Sequence, residues 1–290
     1  MIDIKKVTLR FVGERKNKTT VVNIRDPKED IEILKNEDLR RLVEKISNAK
    51  KSGKQIIFMM GAHLIKEGLS LYIIDLIKKG YITHIAMNGA FSIHDFEIAK
   101  IGATSEDVGE NIKDGSFGMW TETSAINEYL KGTKEGYGKT LGKAINFLEY
   151  KNYSILHAAY ESNIPATVHI AIGTDINHMY PNFLEVVADA AKASYMDFLY
   201  LADSISKLDG GVIVNIGSAV IMPEVFLKAL SIARNLGNKV ENVTRANLDM
   251  NAHYRPRSNI LERPFENGEY FDIRERHEKT IPTLHHLLTK

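Results

Sequence analysis

Cysteine is absent from the 290 residues, tryptophan occurs once and proline seven times. With no thiol there is no disulfide, no thiolate nucleophile, no iron–sulfur cluster and no cysteine-bound zinc. The absence of Cys suits a reducing compartment but is compatible with any location. An excess of one charge is also missing, because 38 Lys+Arg face 37 Asp+Glu. A sequence-independent nucleic-acid binder needs a basic face to displace counterions, so that class is disfavoured. No stretch approaches the roughly 18 uninterrupted apolar residues of a membrane span. Met1-Ile2-Asp3-Ile4-Lys5-Lys6 has no apolar core or cleavage site of the signal-peptide kind. We therefore expect a soluble, cytoplasmic protein with neither nucleic acid nor membrane as partner. What is plentiful is apolar residues, at 44%, enough for a sizeable core.

Residues 1–50 read as an N-terminal extension and 51–290 as a single α/β domain. In the extension, Val7–Val12 and Thr19–Ile24 are β-like runs, and Asp38–Lys50 has helical spacing. From Gln55 the pattern sharpens. Gln55–Met60 and Ile82–Met87 are short apolar runs of the buried-strand kind, separated by a helical stretch over Leu69–Lys79. Ile93–Ile101 reads as the next helix, stopped by Gly102. Strand, helix, strand, helix in that order predicts parallel strands joined by right-handed crossovers. After the helical and looped residues 103–163, alternation returns. Pro165–Ile172 and Gly211–Ile216 read as strands, with a long helix over Leu184–Leu208 between them. A helix near Pro223 and a last strand over Val240–Leu248 follow. The tail after Arg255 reads as charged and irregular, apart from a short helix at Ile281–Leu288. The fold class is therefore α/β: a Rossmann-like parallel sheet in three layers, with helices on both faces.

Ligands of such sheets bind beyond the carboxyl ends of the strands. That rule selects the loops at Gly61-Ala62-His63, Asn88–Ser92, Gly173–His178 and Asn215–Ala219. Each holds glycine and short polar residues, which let a phosphate or ribose approach the backbone. The Gly-x-Gly-x-x-Gly and Walker A patterns are both missing. Gly136-Tyr137-Gly138-Lys139-Thr140 has only the ending of a phosphate loop and does not follow a strand. His94, Asp95 and Glu97 fall within one turn of a helix start, where acidic residues also serve the helix dipole. Asp175 and His178 share the third loop. No three-ligand metal spacing is present, so no metal is assigned.

Taken together, these segments resemble the deoxyhypusine synthase family. Asn88-Gly89-Ala90-Phe91-Ser92-Ile93-His94-Asp95-Phe96-Glu97 is similar to the family's Thr-Ala-Gly-Gly-Val-Glu-Glu-Asp segment along NAD. Asn163–Asp175 resembles its strand ending in Thr-Asp, and Gly211–Arg234 its strand, small-residue turn and helix. Ala252-His253-Tyr254-Arg255-Pro256 echoes its Gly-Ala-Arg-Pro segment. The Asn88–Glu97 turn also looks like the NAD-binding part of ornithine cyclodeaminases that carry a related C-terminal domain. The resemblance covers residues 55–257 in blocks. One departure concerns chemistry directly. The family forms an imine on a Lys in a Trp-Gly-Lys segment, whereas Arg257–Pro264 contains neither Lys nor Trp.

The resemblance implies a deoxyhypusine synthase-like NAD-binding fold and, by the family's habit, a homo-oligomer, a tetramer. It implies NAD along the strand ends, with Gly61, Asn88, Gly89, Ala90, Gly217 and Ser218 against it and Asp95 or Glu97 on ribose. Asp175 would bind a cationic group, and His178 or His94 would move a proton. The expected activity is NAD-dependent chemistry on a small amine or amino acid, and not deoxyhypusine formation. A non-catalytic nucleotide-binding regulator and a metal-assisted hydrolase on the same fold are the alternatives.

Overall fold

The computed structural model describes residues 2–290. Its centre is a six-stranded, all-parallel sheet. The strands are β1 (Ile56–Met60), β2 (His84–Asn88), β3 (Ala166–His169), β4 (Val212–Ile216), β5 (Thr244–Leu248) and β6 (Tyr270–Ile273). They lie side by side in the order 3-2-1-4-5-6, which is the doubly wound dinucleotide-binding arrangement. The first strand is therefore central. All five of its residues, Ile-Ile-Phe-Met-Met, are buried. An unbroken apolar run is what a strand needs when helices cover both faces.

Alternate residues feed the two cores. Phe58 and Met60 point into one layer with α1 (Glu37–Lys51), α2 (Ser70–Lys78), α3 (Gly89–Ile101) and α9 (His277–Thr289). α4 (Thr121–Leu130), α5 (Tyr137–Ile145) and α6 (Ile155–Glu161) extend this layer. Ile57 and Met59 point the other way, onto α7 (Phe183–Ser206) and α8 (Ile221–Asn235). The edge strand β3 is closed by side chains rather than by another strand. Val168 N–H donates to Asp197 at 2.7 Å and Ile170 N–H to Ser194 at 3.1 Å, while the Ser194 hydroxyl donates to Val168 C=O at 2.8 Å. An open edge would invite another chain to pair, and α7 removes that template.

Several expectations change. The two β-like runs near the N-terminus do not form strands of any length. Only Thr19–Thr20 pairs, antiparallel with Ala103–Thr104, and Arg10 makes a single bridge to Trp120. Short 3-10 turns at Ile4–Lys6, Val12–Glu14 and Val21–Asn23 take up much of the rest. Val240–Leu248 is not the last strand, because β6 follows it inside the tail expected to be irregular. The last strand-like run also starts later, at Thr244, and the terminal helix starts earlier, at His277. Gly136–Thr140 is the start of α5 and not a phosphate loop. A Cβ on Gly138 would lie 2.0 Å from Ala166 O, so this glycine serves close packing on β3.

His84 and His169 are packing residues, as their strand positions suggest. His84 is fully buried, with Nδ1 2.8 Å from the Ser204 hydroxyl and Nε2 3.0 Å from the Thr167 hydroxyl. His169 Nε2 shares that same hydroxyl at 3.0 Å. Burial pushes both imidazoles down to about 3. A folded pKa below the unfolded value of about 6.5 means that the unfolded chain binds more protons below that pH. Stability is then complete above about pH 6.5 and falls as the pH drops towards 3. For His84 alone the slope is about 1.4 kcal/mol per pH unit. Urea unfolding of wild type and His84→Asn between pH 7 and 5 checks this: the variant's pH slope is expected to be shallower by about one proton. Equal slopes would mean that His84 is not held neutral.

Candidate functional site

The strand order reverses between β1 and β4, and the two loops leaving these strands meet there. Their backbones are in contact. A Cβ on Gly61 would lie 2.2 Å from Gly217 O, so position 61 tolerates only hydrogen. Gly217 adopts φ 63°, and a Cβ on it would meet His277 Nε2 at 2.6 Å. Beyond this contact lies a cavity of about 200 Å³ lined by His63, Gly217, Asp249, His253, His277 and Glu278. His277 is the first residue of α9 and burial lowers its pKa, while the His63 and His277 rings stand 6.1 Å apart. Ser218, assigned to the cofactor from sequence, is buried and its hydroxyl accepts the Met222 N–H at 3.2 Å, so it caps α8.

A second cavity of about 200 Å³ opens at the ends of β2 and β3. Arg15, Lys66, Ala90, His94, Glu97 and Asp175 are among its walls. Asn88 ends β2 and caps α3 by accepting the Phe91 N–H at 3.0 Å. Gly89 then opens the helix directly beneath Asp175, where a Cβ would fall 2.0 Å from Oδ2. Glycine here makes the room that the carboxylate occupies. Asp175 is buried with no hydrogen bond to Oδ2, and burial pushes it up to about 7. His178 Nδ1 accepts the Gly173 N–H at 3.1 Å. The ring proton therefore sits on Nε2, which has no hydrogen-bond partner and lies 4.0 Å from Asp175 Oδ2. Burial lowers the His178 pKa, so the imidazole is neutral at pH 7.

His94 faces the same cavity with a different tautomer. Thr104 donates its hydroxyl proton to Glu97 Oε2 at 2.5 Å, so its oxygen accepts from His94 Nδ1–H at 2.7 Å. Nε2 is left as the unprotonated nitrogen. Burial pushes His94 down to about 4, which keeps it neutral and able to accept a proton. Glu97 is not free for a ligand. It accepts from Arg15 at 2.8 Å and from the Thr123 hydroxyl at 2.7 Å. Burial alone would raise its pKa, but the Arg15 guanidinium, together with His94 and the Thr104 hydroxyl, outweighs that and holds the carboxyl below the usual range. Asp95 lies outside the cavity altogether. Its carboxylate takes the Ser154 hydroxyl at 2.5 Å and the Ile155 and Leu156 N–H groups at 2.8 and 3.2 Å, capping α6.

The fold thus gathers His94, Asp175, His178, Gly89 and Ala90 at one end of the sheet, with Gly61 and Gly217 at the neighbouring switch point. Sequence reasoning missed Arg15 and Lys66. Both depend on residues 10–25, which lie across the sheet end: Thr19 Oγ1 donates to Lys66 C=O at 2.7 Å, and Arg15 reaches Glu97. Among the described residues, no group of three or more His, Asp or Glu stands where it could hold a metal ion.

No family model matches the chain, and no curated protein matches it in sequence. Solved structures do share its fold. A conserved, proposed LOR/SDH protein from Methanococcus maripaludis S2 aligns with a TM-score of 0.55 at 16% identity, covering 90% of this chain and 70% of that one. AgrE in its ternary complex with ornithine and NAD+ aligns with a TM-score of 0.56 at 12% identity, over 89% of this chain and 34% of its own. A proposed deoxyhypusine synthase from Entamoeba histolytica gives 0.51 at 11% identity, over 86% of each chain. The arginine dihydrolase ArgZ from cyanobacteria is likewise matched over only 32% of its length. At such identities the likeness is one of fold: the deoxyhypusine synthase-like α/β arrangement.

Proposed function

We propose that this chain is an NAD-dependent enzyme acting on a small amine or amino acid. The observation that carries the reading is Asp175: a buried carboxylate oxygen without a partner, 4.0 Å from His178 Nε2, on the wall of a small cavity beside the switch point. Such an acceptor recognises an ammonium group. The switch point is where a doubly wound sheet takes a dinucleotide, and Gly61 and Gly217 let its two loops approach closely there. NAD bound there would supply a hydride acceptor for the carbon bearing the amine. Gly61, Gly217, Asn88 and Ala90 would offer it their backbones. Asp249, which stands on the switch-point cavity, replaces Asp95 and Glu97 as the carboxylate for ribose.

In this reading Asp175 holds the substrate ammonium, and His94 Nε2 takes a proton from it as the carbon is oxidised. His178 Nε2–H steadies the Asp175 charge. Ammonium binding should tighten as the pH rises through about 7, where Asp175 becomes ionised. The likeness of AgrE, solved with ornithine and NAD+, is consistent with this chemistry. Formation of deoxyhypusine is not proposed, because the Arg257–Glu262 turn packed under α8 offers no amine nucleophile. A cytoplasmic homo-oligomer remains our expectation for its assembly.

Calorimetric titration with NAD, followed by amines and amino acids in the presence of NAD, tests the proposal. Binding of NAD and substrate-dependent appearance of reduced nicotinamide are expected, with Asp175→Asn lowering turnover roughly 10²- to 10⁴-fold. NAD binding without any reduction would favour the regulatory reading. No NAD binding would end the proposal.

A further inference from the structure

We infer that the ligand of the β2–β3 cavity carries a carboxylate as well as an amine, with Lys66 as the carboxylate's partner. This rests on the preceding assignment of that cavity to the substrate, and it narrows the substrate class to amino acids and away from polyamines.

The argument is an account of the charges on the cavity wall. Five ionised or ionisable side chains of fixed sign line it: Arg15, Lys66, Glu97, Glu106 and Asp175. Arg15 and Glu97 neutralise each other at 2.8 Å, with both side chains almost wholly buried. Glu106 is occupied by donors from its own loop, namely Gly118 N–H at 3.0 Å, Trp120 Nε1–H at 2.9 Å and Asn111 Nδ2 at 2.5 Å. Glu106 keeps its charge, but both its oxygens already have donors, so two charged side chains on the wall are left without a partner. Asp175 Oδ2 has no hydrogen bond. Lys66 is half-buried and has no carboxylate within ion-pair distance among the described residues.

Lys66 is also held in place from behind. Its carbonyl accepts the buried Thr19 hydroxyl at 2.7 Å, and the next turn is pinned by the same segment. A Cβ on Gly68, which has φ 68°, would lie 2.5 Å from Asn23 O. A lysine fixed at its backbone and left without a counter-charge beside a cavity is suited to an anionic group. One unpaired cation and one unpaired carboxylate on a common wall complement a zwitterion. A polyamine would place a second ammonium beside Lys66, and a dicarboxylate would place a second carboxylate beside Asp175. Each meets like charge in a partly dry space. At about 200 Å³ the cavity also lies below the roughly 300–1,000 Å³ of drug-sized sites, which suits a ligand of amino-acid size.

The test uses the full chain saturated with NAD. Thermal-shift screening of the standard amino acids plus L-ornithine comes first, followed by calorimetry on two matched pairs: L-ornithine against putrescine, and L-lysine against cadaverine. At least one amino acid should bind, and the diamine of each pair should bind at least ten-fold more weakly. Lys66→Met, which keeps the side-chain length, should weaken the amino acid roughly 10- to 100-fold, leave the diamines unchanged or tighter, and leave NAD affinity unchanged. Lys66→Arg should recover part of the loss. Diamines binding as tightly as their amino acids, or Lys66→Met binding the amino acid normally, would overturn the inference. So would NAD binding with no amino acid in the screen binding at all. If NAD itself fails to bind, the parent reading falls instead, and the NAD titration alone reveals that.

Discussion

Arg15→Leu is expected to cost about 3–5 kcal/mol of stability, the most of any single change at this site. The reason is what it leaves behind. Glu97 is 2% exposed and its charge is balanced by one cation, Arg15, at 2.8 Å. The Thr104 and Thr123 hydroxyls would remain as donors, but neither supplies charge. A buried carboxylate without a counter-ion must either take up a proton or drag in water, and each route costs stability. Glu97→Gln in the Arg15→Leu background should restore most of the loss, because the orphaned charge disappears with it. The double-mutant cycle in urea therefore has a large coupling energy. A single-variant effect below about 1 kcal/mol would show that the pair is not closed in solution. The same variant should also disturb His94, since Thr104 links His94 to Glu97.

Gly61→Ala is expected to destabilise the fold by about 3 kcal/mol and to weaken NAD binding at least roughly 100-fold. The new methyl would lie 2.2 Å from Gly217 O, 2.8 Å from Gly217 C and 3.2 Å from Ser218 N. All three are backbone atoms, so no side chain can swing aside. The two central loops must separate, and the space between them changes shape. Gly53→Ala is the control. Gly53 adopts a left-handed φ of 63°, which Gly61 does not, and has nothing within 4 Å. Its cost should stay near about 1 kcal/mol, with NAD affinity intact. Equal behaviour of the two variants in calorimetry and urea melts would remove the close backbone approach as the explanation.

Much of this architecture is legible in the sequence, for reasons specific to its elements. β1, β2 and β4 announce themselves because strands covered on both faces must be apolar throughout. β6 does not, because it lies at the sheet edge. Tyr270 is exposed, Phe271 buried, Asp272 half-buried and Ile273 buried, a four-residue alternation in a charged tail. The strand-end rule locates Asp175, His178 and His94, which do assemble. It is silent on Arg15 and Lys66, because an irregular segment folding back over distant strand ends leaves no periodicity to read. Asp95 and Glu97 are a different case. Residues two apart on a helix point to nearly opposite sides, so only one of them could have faced the cavity. The sequence held that information and the dipole argument obscured it.

The strand order has a consequence for how the chain is made. Ile57, in the middle of the sheet, pairs with His84 on one side and with Ile213 on the other. A ribosome releases the first half-sheet long before β4 exists, so β1 must wait with one edge bare while α2 to α7 emerge. That edge is an apolar strand of the kind prone to wrong pairing. Vectorial synthesis therefore leaves the central strand exposed for longest, and the loops at Gly61 and Gly217 cannot meet until β4 has emerged.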